Sequence, residues 1–208
     1  MARNIGVTMD SKLDMTDHVK SICRAAYVQL RQIAQIRRYL TQEATTTLML
    51  SLVMSKLDSL NALLYGLPDH LIHKLQLLQN QAAKIIFKKK KSDHVTPILI
   101  QLHWLPVKYR IQYKLLLLTF KCIQGKAPQY LTSLIELYTP PHALRSGNTV
   151  LLKEKKGRLK YYGDRAFSVA APHLWNNLPQ ELRHCDTTES FKKELKTFFF
   201  RQAFYDNT

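Results

Sequence analysis

The sequence predicts a mainly α fold: a small helical bundle to about residue 95, then a helical module over residues 96–208 that carries a small β element. A single strand stands before the bundle. Three observations predict this. Amphipathic segments with recognisable starts and stops fill most of residues 16–86. The stretch Gln101–Leu131, QLHWLPVKYRIQYKLLLLTFKCIQGKAPQYL, has the clearest helical period in the chain. Runs that read as β are short, at Ile5–Met9 and Thr149–Leu152.

Taken in order, Ile5-Gly6-Val7-Thr8-Met9 reads as one strand, with no second strand within reach in the first hundred residues. Its backbone groups need a partner, so the chain is expected to begin in the middle of a larger fold. A helix follows from Thr16 to Tyr39, with Val19, Ile22, Cys23, Ala26, Leu30, Ile33 and Ala34 on its apolar face. Asp14, Thr16 and Asp17 supply capping and negative charge at its start. Thr41 opens a second helix to about Leu64, whose core side is Leu48, Met49, Leu52, Val53, Leu57, Leu60 and Leu64. Gly66 and Pro68 close it, and Asp69 opens a third, with Leu71, Ile72, Leu75, Leu78, Ala82, Ile85 and Ile86 inward. That helix runs into Lys88-Lys89-Lys90-Lys91, cations where the helix dipole favours them. Residues 92–97 form a polar joint.

In the second half, Pro106 marks the start of the central helix and Gly125 its stop. Val107, Ile111, Leu115, Leu118 and Cys122 share a face, and Leu116, Leu117, Phe120 and Ile123 cover other sides. A helix apolar almost all round, with one basic seam, is mostly buried and is expected to tie the two halves together. Pro128 starts another helix to about Leu137, ended by Thr139-Pro140-Pro141. Residues 142–157 are irregular or extended. Ala166–Pro179, AFSVAAPHLWNNLP, reads as a buried connector. The last helix opens at Asp186 with Glu189 three residues on, a capping-box arrangement, followed by Phe191, Leu195, Phe198 and Phe199.

The strongest global signal is a net charge of +16, from 31 Lys+Arg against 15 Asp+Glu. Such an excess implies an acidic partner, most often nucleic acid. It is not confined to a tail, because both halves of the chain are basic. Three groups of cations stand out. Lys20, Arg24, Arg31 and Arg38 fall within about 40° of one another around the first helix, a line about 27 Å long. Arg110, Lys114 and Lys121 form the seam of the central helix. Lys153, Lys155, Lys156, Arg158 and Lys160 surround Tyr161 and Tyr162 in KEKKGRLKYYGDR, an interleaving that suits a single strand whose bases stack on rings. The competing readings are an ordinary solvated helix face for the first group and a basic hairpin with inward tyrosines for the third.

No enzyme chemistry presents itself. The nine aspartates include no adjacent pair for two-metal phosphoryl transfer. His70 and His73 share a helix face but lack an H-E-x-x-H pattern or an acidic third ligand, so no metal is expected. His184-Cys185 are neighbours with poor nucleophile–base geometry, and His103 beside Trp104 reads as a packed histidine. There is no Gly-rich phosphate loop, and no cofactor is expected. Cys23, Cys122 and Cys185 are odd in number and far apart, as free thiols in a reducing compartment would be. No apolar run approaches a membrane span and MARNIGVTMD lacks a signal-peptide core, so the expected location is intracellular, in nucleus or cytoplasm.

Three stretches, IGVTMDSKLDMTDHVK, LHWLPVKYRIQYKLLLLTFKCIQGKAPQYL and GDRAFSVAAPHLWNNLP with the SFKKELKTFFF ending, together resemble the C-terminal end of the reverse transcriptase polyprotein of non-LTR retrotransposons, the long interspersed elements. The resemblance covers nearly the whole chain in order. It implies that IGVTMD is the last strand of a palm, and that the bundle is similar to the thumb that grips the template–primer duplex. It also implies that Lys20, Arg24, Arg31 and Arg38 face RNA or DNA, and that the LHWLPV-to-end region is a C-terminal extension. The family's catalytic Asp-Asp dipeptide lies on a palm hairpin upstream of this region, and no Asp-Asp occurs here.

The expectation is therefore a non-catalytic nucleic-acid-binding fragment of an RNA-directed DNA polymerase. Two alternatives stand beside it. The chain is one part of an active enzyme whose palm is encoded upstream, or it is a structural or interaction remnant with no nucleic-acid role. Apolar faces that once met the palm would then favour self-association.

Overall fold

The structure is a computed structural model and describes residues 2–4, 6–10, 13–139, 150–157, 159 and 162–206. The chain is mainly helical. It divides into two compact units, residues 1–111 with 202–208, and residues 112–201. The polar joint at 92–97 lies inside the first unit, and the division falls within the central helix.

The first unit opens with β1 (Ala2–Asn4) and β2 (Val7–Met9), paired antiparallel with Asn4 opposite Val7. The strand expected to stand alone thus has a partner directly before it. Gly6, at φ 83°, supplies the positive φ that so short a reversal needs. The Thr8 N–H donates to His18 Nδ1 at 3.4 Å. His18 is buried, and burial lowers its pKa from the ordinary 6.5. Its Nε2 has no hydrogen-bond partner among the described residues. A proton added to this ring would have to enter at the acceptor that holds the strand.

Helix α1 (Thr16–Ile36) is entered through two aspartates. Asp10 accepts from the N–H groups of Asp14 and Met15, at 3.1 and 3.2 Å, and Asp14 accepts from that of Thr16 at 2.7 Å. Of the expected residues, Asp14 thus meets the first helical N–H and Asp17 places its negative charge in the first turn, while Asp10, not anticipated, ties the two residues before the helix. His18, Val19, Ile22, Ala26, Leu30 and Ile33 are buried, whereas Ala34 is exposed. A tight 3₁₀ turn, Arg37–Tyr39, ends the run.

Arg37 is 8% exposed and its charge is met by carbonyl oxygens. Nε donates to Ile85 O at 3.0 Å, and the terminal nitrogens donate to Leu40 O and Ile86 O at 2.7 Å each. Ile85 and Ile86 end α4 (Asp69–Ile86), so the guanidinium sits at the negative end of that helix. Leu71, Leu75, Leu78, Ala82, Ala83 and Ile86 of α4 join the α1 face in one core.

The second helix expected over Thr41–Leu64 is interrupted. It runs as α2 (Gln42–Met49), a π turn (Leu50–Met54) and α3 (Ser55–Asp58), followed by a 3₁₀ turn (Asn61–Leu64) after Leu60 at φ 55°. The wide turn shifts which residues point inward. Met49, Val53, Met54 and Leu57 are buried, whereas Leu52 and Leu60, placed on the core side by an unbroken helical period, are exposed. Hydroxyls of Thr45, Thr46, Thr47, Ser51 and Ser55 all bond back to carbonyls about one turn earlier, which loosens the helical ladder.

Helix α5 (Thr96–Gln101) and the following reversal at His103, φ 52°, deliver Trp104 and Leu105 into the core. This segment is fastened by side-chain amides of α4. The fully buried Gln79 donates to Leu105 O at 2.9 Å, and Gln76 accepts from Val107 N–H at 2.8 Å while donating to Gln79 and Asn80. Arg110 grips Asp58 through two hydrogen bonds.

Helix α6 (Val107–Ile123) continues into the second unit, where Leu115, Leu116, Leu117, Phe120 and Cys122 are buried. The helix after Pro128 is a single turn, α7 (Gln129–Thr132), shorter than expected. The backbone beyond it is extended because it pairs elsewhere: Leu137 forms an antiparallel bridge with Leu152, with Tyr138 N–H on Leu151 O and Lys153 N–H on Glu136 O. The expected strand Thr149–Leu152 is thus one bridge among the described residues, and Thr149, Pro140 and Pro141 lie outside them.

The AFSVAAPHLWNNLP connector is a helix, α8 (Phe167–Asn176), with Pro172 inside it. Trp175, Phe120 and Phe191 form an aromatic centre, Phe120 and Phe191 stacked at 4.3 Å between centroids. A short α9 (Gln180–Arg183) leads to α10 (Thr188–Phe204). Its cap is Thr187, whose hydroxyl accepts from Ser190 N–H at 3.1 Å, one residue after the expected Asp186. The last turn of α10 belongs to the first unit, where Phe204 packs on the core.

Two outcomes follow for the first unit. Arg37→Ala should destabilise it by about 2–4 kcal/mol in urea unfolding, because buried carbonyls lose their donors, while Arg38→Ala should stay within about 0.5 kcal/mol. Because His18 has a lowered pKa when folded, the unfolded chain binds its proton first as pH falls. Stability should therefore decline as pH drops from neutrality through 6.5, and His18→Asn should remove that part of the pH dependence.

Candidate nucleic-acid interface

The first helix makes a cationic face because its polar positions recur at the helical period. Lys20, Arg24 and Arg31 are all exposed on α1, opposite the buried residues. Arg24 and Arg31 make no ion pair among the described residues. Lys20 does: its Nζ lies 3.1 Å from Asp17, with both side chains exposed, so the pair is weak and readily exchanged for a phosphate. Asp17 thus places an acid one turn before the first cation of the line. Arg38 is exposed but belongs to the 3₁₀ turn, where its guanidinium carbon stands 4.8 Å from the Tyr39 ring centroid. It extends the face by a different geometry from that of a continuous α-helix.

Two side chains on this face escaped the sequence reading. Tyr27, 37% exposed, and Val28, 50% exposed, lie between Arg24 and Arg31. Tyr27 falls about 20° from Lys20 on the same wheel, so the signal was available. Burial raises the Tyr27 phenol above its ordinary range, so it remains a neutral hydrogen-bond donor among the cations.

The central seam is less uniform. Arg110, half-buried, is committed to Asp58 within the first unit. A bidentate guanidinium–carboxylate pair leaves little of this group for phosphate. Lys114 is exposed and Lys121 half-buried, two turns apart on the second-unit part of α6.

The third group is held by an acid. Lys155 and Lys153 reach Glu136 at 2.8 and 3.4 Å, and their hydrogen bonds, that of Lys155 first, pull the Glu136 carboxyl below its ordinary range. Asn176 fixes the segment: its amide accepts from Leu152 N–H at 2.9 Å and donates to Leu152 O at 2.8 Å. Trp175 Nε1 donates to Val150 O at 3.0 Å. Lys156 is exposed, as is Tyr162. Arg158, Lys160 and Tyr161 lie outside the described residues. Sequence reasoning named the cations here and not the Glu136 side chain that gathers two of them.

Among the described residues, no three His, Cys, Asp or Glu side chains converge where a metal ion would sit, and no helix is long and apolar enough to cross a membrane. Comparison with protein-family models, with curated proteins and with solved structures returned no match.

Asn176→Ala should release the 150–154 segment. Amide exchange at Leu152 and Lys153 is expected to rise by about tenfold or more, with helix content by far-ultraviolet circular dichroism unchanged.

Proposed function

We propose that the chain binds nucleic acid by its backbone, without sequence preference, through the outward face of α1, and that it carries out no polymerisation by itself. The observation that carries this reading is the α1 face: Lys20, Arg24 and Arg31 exposed along one side of a 21-residue helix, where among the described residues only Lys20 has an ion-pair partner, the exposed carboxylate of Asp17. Arg38 continues the face. A duplex presents phosphates at a spacing that such a line can follow, and each neutralised phosphate releases counterions. The net charge of +16 draws any polyanion toward this surface.

The resemblance to the thumb of non-LTR retrotransposon reverse transcriptases supports the same reading, with primer–template duplex as the preferred ligand. It also accounts for the missing chemistry, since that family's paired aspartates lie on another part of the polymerase. The cations of the second unit contribute less in this reading. Arg110, Lys153 and Lys155 already have carboxylate partners, which leaves Lys114, Lys121 and Lys156 as secondary contacts.

If about four phosphates are contacted, log Kd against log salt should have a slope near 3.5 for duplex DNA of any sequence. Replacing Lys20, Arg24, Arg31 and Arg38 together by Gln should abolish most of that slope while leaving helix content by circular dichroism unchanged. A flat salt response in the unaltered chain, measured by anisotropy, would remove nucleic acid from the account.

A further inference from the structure

The enclosed arginines of the first unit are paired. Every nitrogen of the Arg37 guanidinium donates to a carbonyl oxygen, and Arg110 is gripped by Asp58. Arg183, at the end of α9 in the second unit, does not follow this pattern. It is half-buried, and its Nε and Nη1 are enclosed without a hydrogen-bond partner among the described residues.

Such an arrangement is costly. An enclosed donor without an acceptor carries its full desolvation penalty, and more so when it is charged. The chain holds no carboxylate side chain that relieves it. All 15 Asp and Glu residues are among the described residues, and none lies within ion-pairing distance of Arg183. Glu181 and Asp186, two and three residues away, are exposed and make no pair with it. Nη2 is not among the enclosed nitrogens. An acceptor arriving from solvent therefore meets Nη2 first and reaches Nε along the same side of the guanidinium, the side by which Arg110 holds Asp58.

A planar fork with one side open suits an oxyanion. The surroundings select which one. Glu181, Asp186 and Glu189 are all exposed about the joint between α9 and α10. The Cys185 thiol, two residues on, is raised above its ordinary range by burial first, and further by the charges of Glu194 and Asp186. A field of this sign repels a chain of phosphates, or a dianion, more than it repels a single negative charge. We propose that Arg183 anchors a binding site for one carboxylate, brought by a small organic acid or by an acidic side chain of a partner protein. The site is separate from the α1 face and does not depend on the nucleic-acid reading.

The test follows the Arg183 side-chain Nε–H signal of the full chain by nuclear magnetic resonance at constant ionic strength. Sodium acetate should shift that signal saturably, and sodium chloride should not. A short peptide bearing a single glutamate and blocked at both ends distinguishes the sources. Binding of the peptide tighter than acetate by about tenfold or more assigns the carboxylate to a partner protein, and equal or weaker binding assigns it to a free acid. Acetate should also raise the thermal unfolding midpoint of the unaltered chain. Arg183→Lys keeps the charge and loses the fork, so about tenfold more acetate should be needed for the same rise. Arg183→Met should abolish the rise and leave the midpoint of the free chain unchanged or higher. A lowered midpoint in that variant makes the guanidinium a structural group and overturns the site. An Nε–H signal that neither acetate nor the peptide moves overturns it as well. A response to phosphate or duplex DNA with acetate silent overturns the carboxylate assignment.

Discussion

A single buried guanidinium governs the first unit. Arg37 has no carboxylate partner among the described residues, yet it lies inside because carbonyl oxygens and the negative end of α4 together replace its water. That arrangement fixes where α1 ends relative to α4, and the rotation of α1 follows. With Val19, Ile22, Ala26, Leu30 and Ile33 turned to the core, the opposite side of the helix has to present Lys20, Arg24 and Arg31 to solvent. Lysine would not serve in place of Arg37, since an ammonium cannot reach separate carbonyls in a planar fork.

Elsewhere, side-chain amides do what strands would do in a sheet-rich protein. Gln79 and Gln76 satisfy backbone groups at Leu105 and Val107, and Asn176 meets both the N–H and the C=O of Leu152. Each allows an irregular segment to run through a protected region without leaving polar groups unpaired. The irregular stretches at 104–106 and 150–153 are therefore positioned by side chains of the helices α4 and α8.

Helix existence was legible because apolar spacing is a direct consequence of burial. The buried faces of α1, α4 and α6 match their periodic residues closely. What stayed hidden depended on a partner distant in sequence. Arg37 stands just past α1 in line with its apolar stripe, four residues after Ile33, and a charge in that place is a sign of an internal acceptor. The identity of that acceptor lies 48 residues away and no local pattern reveals it. The same holds for Arg110, whose place in a cationic seam was visible while Asp58, 52 residues upstream, was not. Glu136 likewise claims lysines 17 and 19 residues ahead. Charge counts overestimate a binding surface whenever a folded neighbour has already taken the charges.

The π turn at Leu50–Met54 acts as a phase slip in the helical run that contains it. One surplus residue offsets every later side chain by about 100° from the direction an unbroken helix would give it. Asp58 reaches Arg110 from the offset position. The spacing between Met49 and Ser55 is thus set to the residue. A chain one amino acid shorter there gains a more regular helix and turns an acid away from its base, so regularity and fit oppose each other in this element.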